Sequence, residues 1–245
     1  MNILIKFPTR GRPEKFFDVL DRYVAGIKVR GKTKFLITLD ADDLSMNNPA
    51  AISRLLSYKD LSYDFGSSAS KIHACNRGLN NYLETRDSNT DIILLASDDM
   101  IPQERGYDEI IRNEMLKHYP DTDGCLWFSD GYRKDFCTLS IVGRKYYHRF
   151  DYLYHPSYKS FYCDNEFTEA AQAAGKIVYI DKVIIKHLHP DWISTDPNAQ
   201  RMQETLFSGT QTELHDATFM RNSPYVQTDK MNYLKRKAAG FPEHL

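Results

Sequence analysis

The stretch Asp91-Ile-Ile-Leu-Leu-Ala-Ser-Asp-Asp-Met100 decides the fold. Four consecutive apolar residues followed by a small one read as a strand buried on both faces, as in the middle of a parallel sheet, where no alternation is needed. The run stops abruptly at Asp98 and Asp99. Open α/β sheets bind ligands just beyond the carboxyl ends of their strands, so this strand delivers two acids to a site. Adjacent carboxylates repel, and a bound divalent cation relieves the repulsion. Mg2+ or Mn2+ shared with a substrate diphosphate suits such oxygen ligands. The competing reading is an Asp-Asp turn that caps the next helix.

Working towards the N-terminus, residues 2–7 read as a first strand, stopped by Pro8-Thr-Arg-Gly-Arg-Pro13. Helical spacing of Phe16, Phe17, Leu20, Tyr23 and Val24 predicts a helix over residues 14–25, with Pro13 suited to its first turn. Residues 34–39 form a second strand running into Asp40-Ala-Asp-Asp43, completing a right-handed βαβ unit. A short helix over 49–58, a weak strand over 61–65 and a helix over 72–83 lead to the quoted strand. Beyond it the pattern gives a helix over 106–118 and strands over 124–128 and 138–142. A segment dense in aromatic residues over 145–162 reads as a packed lid or an acceptor surface. A helix over 164–175 and one strand over 176–186, entering His187-Leu-His-Pro190, complete the main part.

The expected architecture is therefore a single α/β Rossmann-like domain, a mostly parallel central sheet flanked by helices. Residues 1–100 form a nucleotide-binding half and 101–190 an acceptor-binding half, with 191–245 a helical C-terminal appendage of the same domain. A chain of 245 residues can bury a substantial core. Its 32 basic and 33 acidic residues leave a net charge of −1, which excludes a global field for nucleic acid or anionic membrane. Four widely spaced cysteines without a CxxC pair point to reduced thiols and a cytoplasmic, soluble protein. No apolar run is long enough to span a membrane, and the first residues do not read as a signal peptide.

Three strand ends thus present polar groups along one sheet edge: Thr9-Arg10, Asp40 and Asp98-Asp99. Asp40 is placed to accept hydrogen bonds from a base or ribose, and Arg10, Arg12 or Lys71 to meet phosphate or base edges. Neither GxGxxG nor GxxxxGK[ST] occurs in strand-to-helix context, so a nucleotide has to be held another way.

In this ordered series the chain resembles the family 2 type of nucleotide-sugar-dependent glycosyltransferases with the GT-A fold. The resemblance rests on residues 8–13, on Asp40, on Lys71 with Asn76-Arg-Gly78, and on Ser97-Asp-Asp-Met100 as the DxD-type motif. It continues through Asp164-Asn-Glu-Phe167 and His187-Leu-His189, spanning roughly residues 1 to 190. It implies that Pro8, Thr9, Arg10, Arg12, Asp40 and Lys71 contact the donor nucleotide, with Asn76 nearby and Asp98 on the ribose side. Asp99 would hold Mn2+ or Mg2+ on the diphosphate, with His189, or else His187, as a further ligand. If the strand persists through both histidines, they face opposite ways. Asp164 would be the base that deprotonates the acceptor hydroxyl, although Cys163 stands where the family carries glutamate.

What the resemblance implies is a metal-dependent inverting transferase that takes a sugar from a nucleoside diphosphate, UDP foremost, to a hydroxyl of a glycan, a small molecule or a hydroxymethylated DNA base. Trp127 and Glu166 are candidate acceptor contacts, and Tyr132, Tyr147, Tyr152 and Tyr154 could stack on a sugar or base. Lys230, Lys235, Arg236 and Lys237 form a modest basic patch. The alternatives are a nucleotidyltransferase and a noncatalytic nucleotide-sugar-binding module of the same fold. For Asp164 the structural alternative is a helix N-cap.

Overall fold

The computed structural model describes residues 1–189, 197 and 217–241. Its first half runs β1 (Ile3–Thr9), α1 (Pro13–Gly26), β2 (Thr33–Asp40), α2 (Pro49–Ser57), β3 (Leu61–Gly66), α3 (Lys71–Asn76), α4 (Leu79–Thr85) and β4 (Ile92–Leu95). The second half continues with β5 (Met100–Pro102), α5 (Tyr107–His118), β6 (Cys125–Phe128), β7 (Ile141–Gly143), α6 (Arg144–Tyr147), α7 (Cys163–Ala173), β8 (Ile177–Ile180) and β9 (Ile185–His187). Two C-terminal helices, α8 (Ala217–Asn222) and α9 (Val226–Ala238), are joined by a 3-10 turn over Ser223–Tyr225. The expected boundary at residue 190 and most of the polar run after it lie outside the described residues.

Seven strands form one sheet in the order β3-β2-β1-β4-β7-β6-β8. Only β7 runs against its neighbours, β4 and β6; the β1-β2, β2-β3, β1-β4 and β6-β8 pairs are parallel. Alternate residues of β1 feed two apolar layers: Ile3, Ile5 and Phe7 meet the α1 and α5 side with Leu20 and Ile111, while Leu4 faces Leu79, Leu83 and Phe167. Both sheet faces are covered by helices, so β4 has all four residues buried, as its unbroken apolar sequence requires. The strands point their carboxyl ends to one edge, and the site stands there.

The structure departs from the sequence reading at several elements. β1 continues through Pro8 to Thr9, because β4 pairs β1 only as far as Lys6, so the amide that Pro8 lacks falls where no ladder partner remains. The helix expected over 72–83 breaks into α3 and α4 at Arg77-Gly78, where Gly78 has φ 80°. The buried Lys6 ammonium fixes this break by donating to the Arg77 carbonyl at 2.9 Å and to the Thr38 hydroxyl at 2.5 Å. Burial lowers the Lys6 pKa to about 7.

The single strand expected over 176–186 is two. β8 edges the main sheet, and β9 pairs antiparallel with β5, setting Met100 opposite His187. The strand expected over 138–142 begins later, at Ile141. The aromatic segment over 145–162 is largely core: Tyr146, Tyr147 and Tyr158 are buried beneath the sheet, and Tyr154 is buried with one face to the cleft. All four cysteines are buried and unbridged. Among the described residues no helix is long and apolar enough to cross a membrane.

Candidate active site

The carboxyl ends of β1, β2 and β4 open into a cleft of about 460 Å3. Of the residues expected on the donor, Pro8, Thr9, Arg10, Arg12, Asp40, Lys71 and Asp98 line it; Asp99, Asp164, His187 and His189 line it as well.

At one end stands Asp40, buried at the tip of β2. Its Oδ2 accepts from Arg10 at 2.8 Å, and Arg10 also grips Asp42 at 2.5 and 2.8 Å. Its Oδ1 has no hydrogen-bond partner among the described residues, although the Arg77 guanidinium lies 3.8 Å away. Arg77 reaches this position because Gly66 has no side chain; a Cβ there would meet the guanidinium at 1.9 Å. From there Arg77 donates to the Leu39 carbonyl at 2.8 Å and backs Asp40 from behind. The buried hydroxyls of Thr9 and Ser68 likewise lack partners among the described residues. Each such atom costs about 1–3 kcal/mol when left unsatisfied, and these lie on the adjoining ends of β1, β2 and β3. A ligand presenting N–H and O–H groups would satisfy them, as a nucleobase and ribose do.

Further along, Asp98 is tied to Arg12 at 2.8 Å. The β5-β9 ribbon brings His187 to Asp99, with Nε2 and Oδ2 3.5 Å apart, while the Leu188 amide donates to the Asp99 carbonyl at 2.7 Å. The Ser97 hydroxyl donates to Asp99 Oδ1. Burial alone would raise the Asp99 carboxyl, but the facing His187, with Lys15 and Lys71, outweighs it and holds the group well below the ordinary carboxylate range. Burial likewise opposes charge on His187, yet Asp99 and Asp130 raise its pKa. β9 ends at His187, so His189 is not on the opposite face; its ring lies 5.5 Å from that of His187, in the same cleft. Of the two, His187 is the partner of Asp99.

A divalent cation fits this donor set. Cis ligands of an octahedral ion at about 2.1 Å stand about 3 Å apart, close to the Asp99–His187 separation of 3.5 Å. No cluster of three or more His, Cys, Asp or Glu suited to a metal occurs among the described residues. An ion here would need further oxygen ligands beyond this pair, as Mg2+ and Mn2+ commonly take from water and substrate.

Asp164 sits in the first turn of α7, whose N-cap is Tyr162, so Asp164 is not the cap. Its Oδ1 accepts only from the adjacent Asn165 amide, at 3.0 Å, among the hydrogen bonds of the described residues. Burial raises its pKa more than Lys71 and the helix amides lower it. Lys71, exposed to the cleft at the start of α3, remains charged despite partial enclosure because Asp99 and Asp164 raise its pKa. Lys71 acts on both Asp99 and Asp164, whereas Arg10 and Arg12 are engaged with carboxylates.

Three expected site residues are elsewhere. Asn76 does not face the cleft: its amide group donates to the Tyr154 carbonyl at 2.7 Å and accepts from the Leu153 amide at 2.9 Å, tying α3 to the loop beside it. Trp127 is buried in β6 against Tyr179, with ring centroids 5.0 Å apart. Glu166 is buried on α7, where Arg236 of α9 grips it at 2.7 and 2.8 Å and the Tyr158 hydroxyl donates at 2.7 Å. Neither Trp127 nor Glu166 can touch an acceptor from there. Arg236 and Lys237, two residues of the modest basic patch, are held by Glu166 and Glu169.

Conversely, the cleft includes Arg221, Asn222 and Tyr225 from α8 and the turn after it. No motif marks these residues; they arrive only because the C-terminal helices fold back over the domain.

No protein-family model and no curated protein matches the sequence. Solved structures do match the fold. A mannosyltransferase from Pyrobaculum calidifontis, PcManGT, determined with GDP-Man and Mn2+, is similar over 97% of this chain and 73% of that one, with 12% identity and a TM-score of 0.59. S. aureus TarS 1–349 with UDP-GlcNAc is similar over 100% of this chain and 78% of that one, at 15% identity and a TM-score of 0.58. The chain has the GT-A fold that these glycosyltransferases share.

Proposed function

We propose that this chain is a metal-dependent, inverting glycosyltransferase that moves a sugar from a nucleoside diphosphate sugar, foremost a UDP-sugar, to a hydroxyl acceptor. The observation that carries this reading is the order of groups along one cleft. Unsatisfied acceptor and hydroxyl atoms at Asp40, Thr9 and Ser68 mark the nucleoside end, the Asp99–His187 pair the diphosphate, and Asp164 the reacting end. The GDP-Man and UDP-GlcNAc bound by proteins of the same fold are in keeping with such a donor.

Asp40 accepts an N–H of the base, and Arg77 holds that carboxylate in place. Asp98, fixed by Arg12, faces the ribose. Lys71 offsets diphosphate charge from the α3 side. Asp99 and His187, with His189 beside them, would hold Mn2+ or Mg2+, which when bound stabilises the negative charge developing on the departing diphosphate. Asp164 takes the proton of the acceptor hydroxyl as its oxygen bonds to the anomeric carbon; the bond from that carbon to the diphosphate breaks, and the nucleoside diphosphate leaves. A single displacement of this kind inverts the anomeric configuration. A carboxylate whose pKa burial has raised accepts a proton more readily than an ordinary one, which suits Asp164 to the task.

Asp40→Ala tests the nucleoside end. Loss of a charged hydrogen-bond acceptor costs about 1.5–3 kcal/mol, so calorimetric titration of UDP should show affinity reduced by about 10- to 100-fold. Equal affinities in the two proteins would remove Asp40 from the donor site.

A further inference from the structure

Helix α9 does more than cover the domain. Asp229, on its first turns, is 1% exposed, and its carboxylate takes the amides of three successive loop residues: Lys159 at 3.0 Å, Ser160 at 2.8 Å and Phe161 at 2.9 Å. This loop is the approach to α7. Ser160 and Phe161 line the cleft, and the Lys159 carbonyl accepts from the Ile72 amide at 3.1 Å, next to Lys71. Immediately afterwards Tyr162 adopts φ 61°, a left-handed conformation that a bulky side chain takes only when its surroundings impose it. The Tyr233 ring of α9 stacks on Tyr162 with centroids 5.6 Å apart at 25°. Along the same helix, Arg236 holds Glu166 and Lys237 holds Glu169, both on α7. Asp164 lies within the four residues, 162 to 165, that separate the clamped loop from the clamped helix face.

We propose that Asp229 is a positioning residue of the active site: by binding the amides of Lys159, Ser160 and Phe161 it sets the entry into α7 and thereby the place of Asp164, which makes the C-terminal helix part of the transfer apparatus. The proposal rests on the reading of Asp164 as the base. Asp229 touches no reactant and acts through Asp164. A misplacement of a reacting group by about 1 Å costs about 100-fold in rate, whereas Asp40, Thr9 and Ser68 at the nucleoside end belong to other strands and make no hydrogen bond to this loop among the described residues.

The experiment compares the full chain with Asp229→Asn, alone and combined with Asp164→Asn. In the amide variant one oxygen still accepts, while an NH2 group is turned towards a loop amide. The expected result is a kcat at least about 10-fold lower, with donor KM and UDP affinity within about twofold of wild type; in the Asp164→Asn background the same change should cost less than about twofold, because groups acting as a unit are not additive. An unchanged kcat, an equal loss in both backgrounds, or a parallel fall in UDP affinity would overturn the proposal. If Asp229→Asn does not fold at the assay temperature, Asp229→Glu, which keeps the charge but lengthens the side chain that holds the three amides, carries the same expectation and the same refutation. A wild-type chain that turns over no nucleotide sugar is a different failure, that of the proposed function itself, and the proposal would fall with it.

Discussion

Asp164→Asn should lower the rate of sugar transfer by about 100- to 10,000-fold, the range that a positioned general base supplies, while donor affinity stays within about twofold. The amide has the same size and cannot take a proton. Folding should tolerate the change, since Tyr162 is the cap of α7 and the Asp164 carboxylate accepts only from the Asn165 amide among the described residues. The same reasoning fixes the pH dependence. Burial raises the Asp164 pKa, and the base works only when deprotonated, so kcat should be full above the raised pKa and fall as pH drops through it. The acid limb should therefore lie above the ordinary aspartate value of about 4, and it should be absent from the residual activity of Asp164→Asn. Stopped-assay rates across the acid range check both points; a variant with wild-type turnover would take Asp164 out of the base role.

Asp99→Asn should weaken Mn2+ binding in the presence of UDP by at least about 100-fold, more than is usual for losing a contact that merely orients a ligand. Asp99 is the carboxylate that the β5-β9 ribbon sets against His187 at 3.5 Å, and no larger ligand cluster among the described residues compensates for it. Manganese electron paramagnetic resonance reads this without turnover. UDP should still bind through Asp40 in the metal-free variant, but its affinity should no longer respond to Mn2+. An Asp99→Asn protein that binds Mn2+ as wild type does would move the cation site elsewhere. The same titration with His187→Ala and His189→Ala ranks the histidines, with His187 expected to matter more.

The strand-end residues were legible because apolar runs that terminate in acids leave few options: β1, β2 and β4 end at Thr9, Asp40 and the Asp98-Asp99 pair, and a parallel sheet puts such ends on one edge. What stayed hidden depends on tertiary contact. Arg77 stands in the Asn-Arg-Gly run, yet only the bare Cα of Gly66, eleven positions earlier in the chain, admits it behind Asp40. Asn76 has the composition of a ligand contact and spends its hydrogen bonds on the loop at 153–154. The pairing of Met100 with His187 is a three-residue ribbon, too short to leave a periodic signal, and it decides which histidine meets Asp99. Glu166 reads as an acceptor contact until Arg236, 70 positions away, is seen to hold it. The polar C-terminal helices read as an appendage because nothing local in the sequence reveals that Asp229 and Arg221 face the domain.

The most direct test of the account is release of nucleoside diphosphate by the purified chain from a panel of UDP- and GDP-sugars with Mn2+, followed with and without acceptor and after addition of EDTA. The account predicts release from at least one donor, slow when water is the acceptor, suppressed by EDTA, and reduced by at least about 100-fold in Asp164→Asn. Tight nucleotide binding with no release from any donor under any acceptor would contradict it and leave a binding module of the GT-A fold.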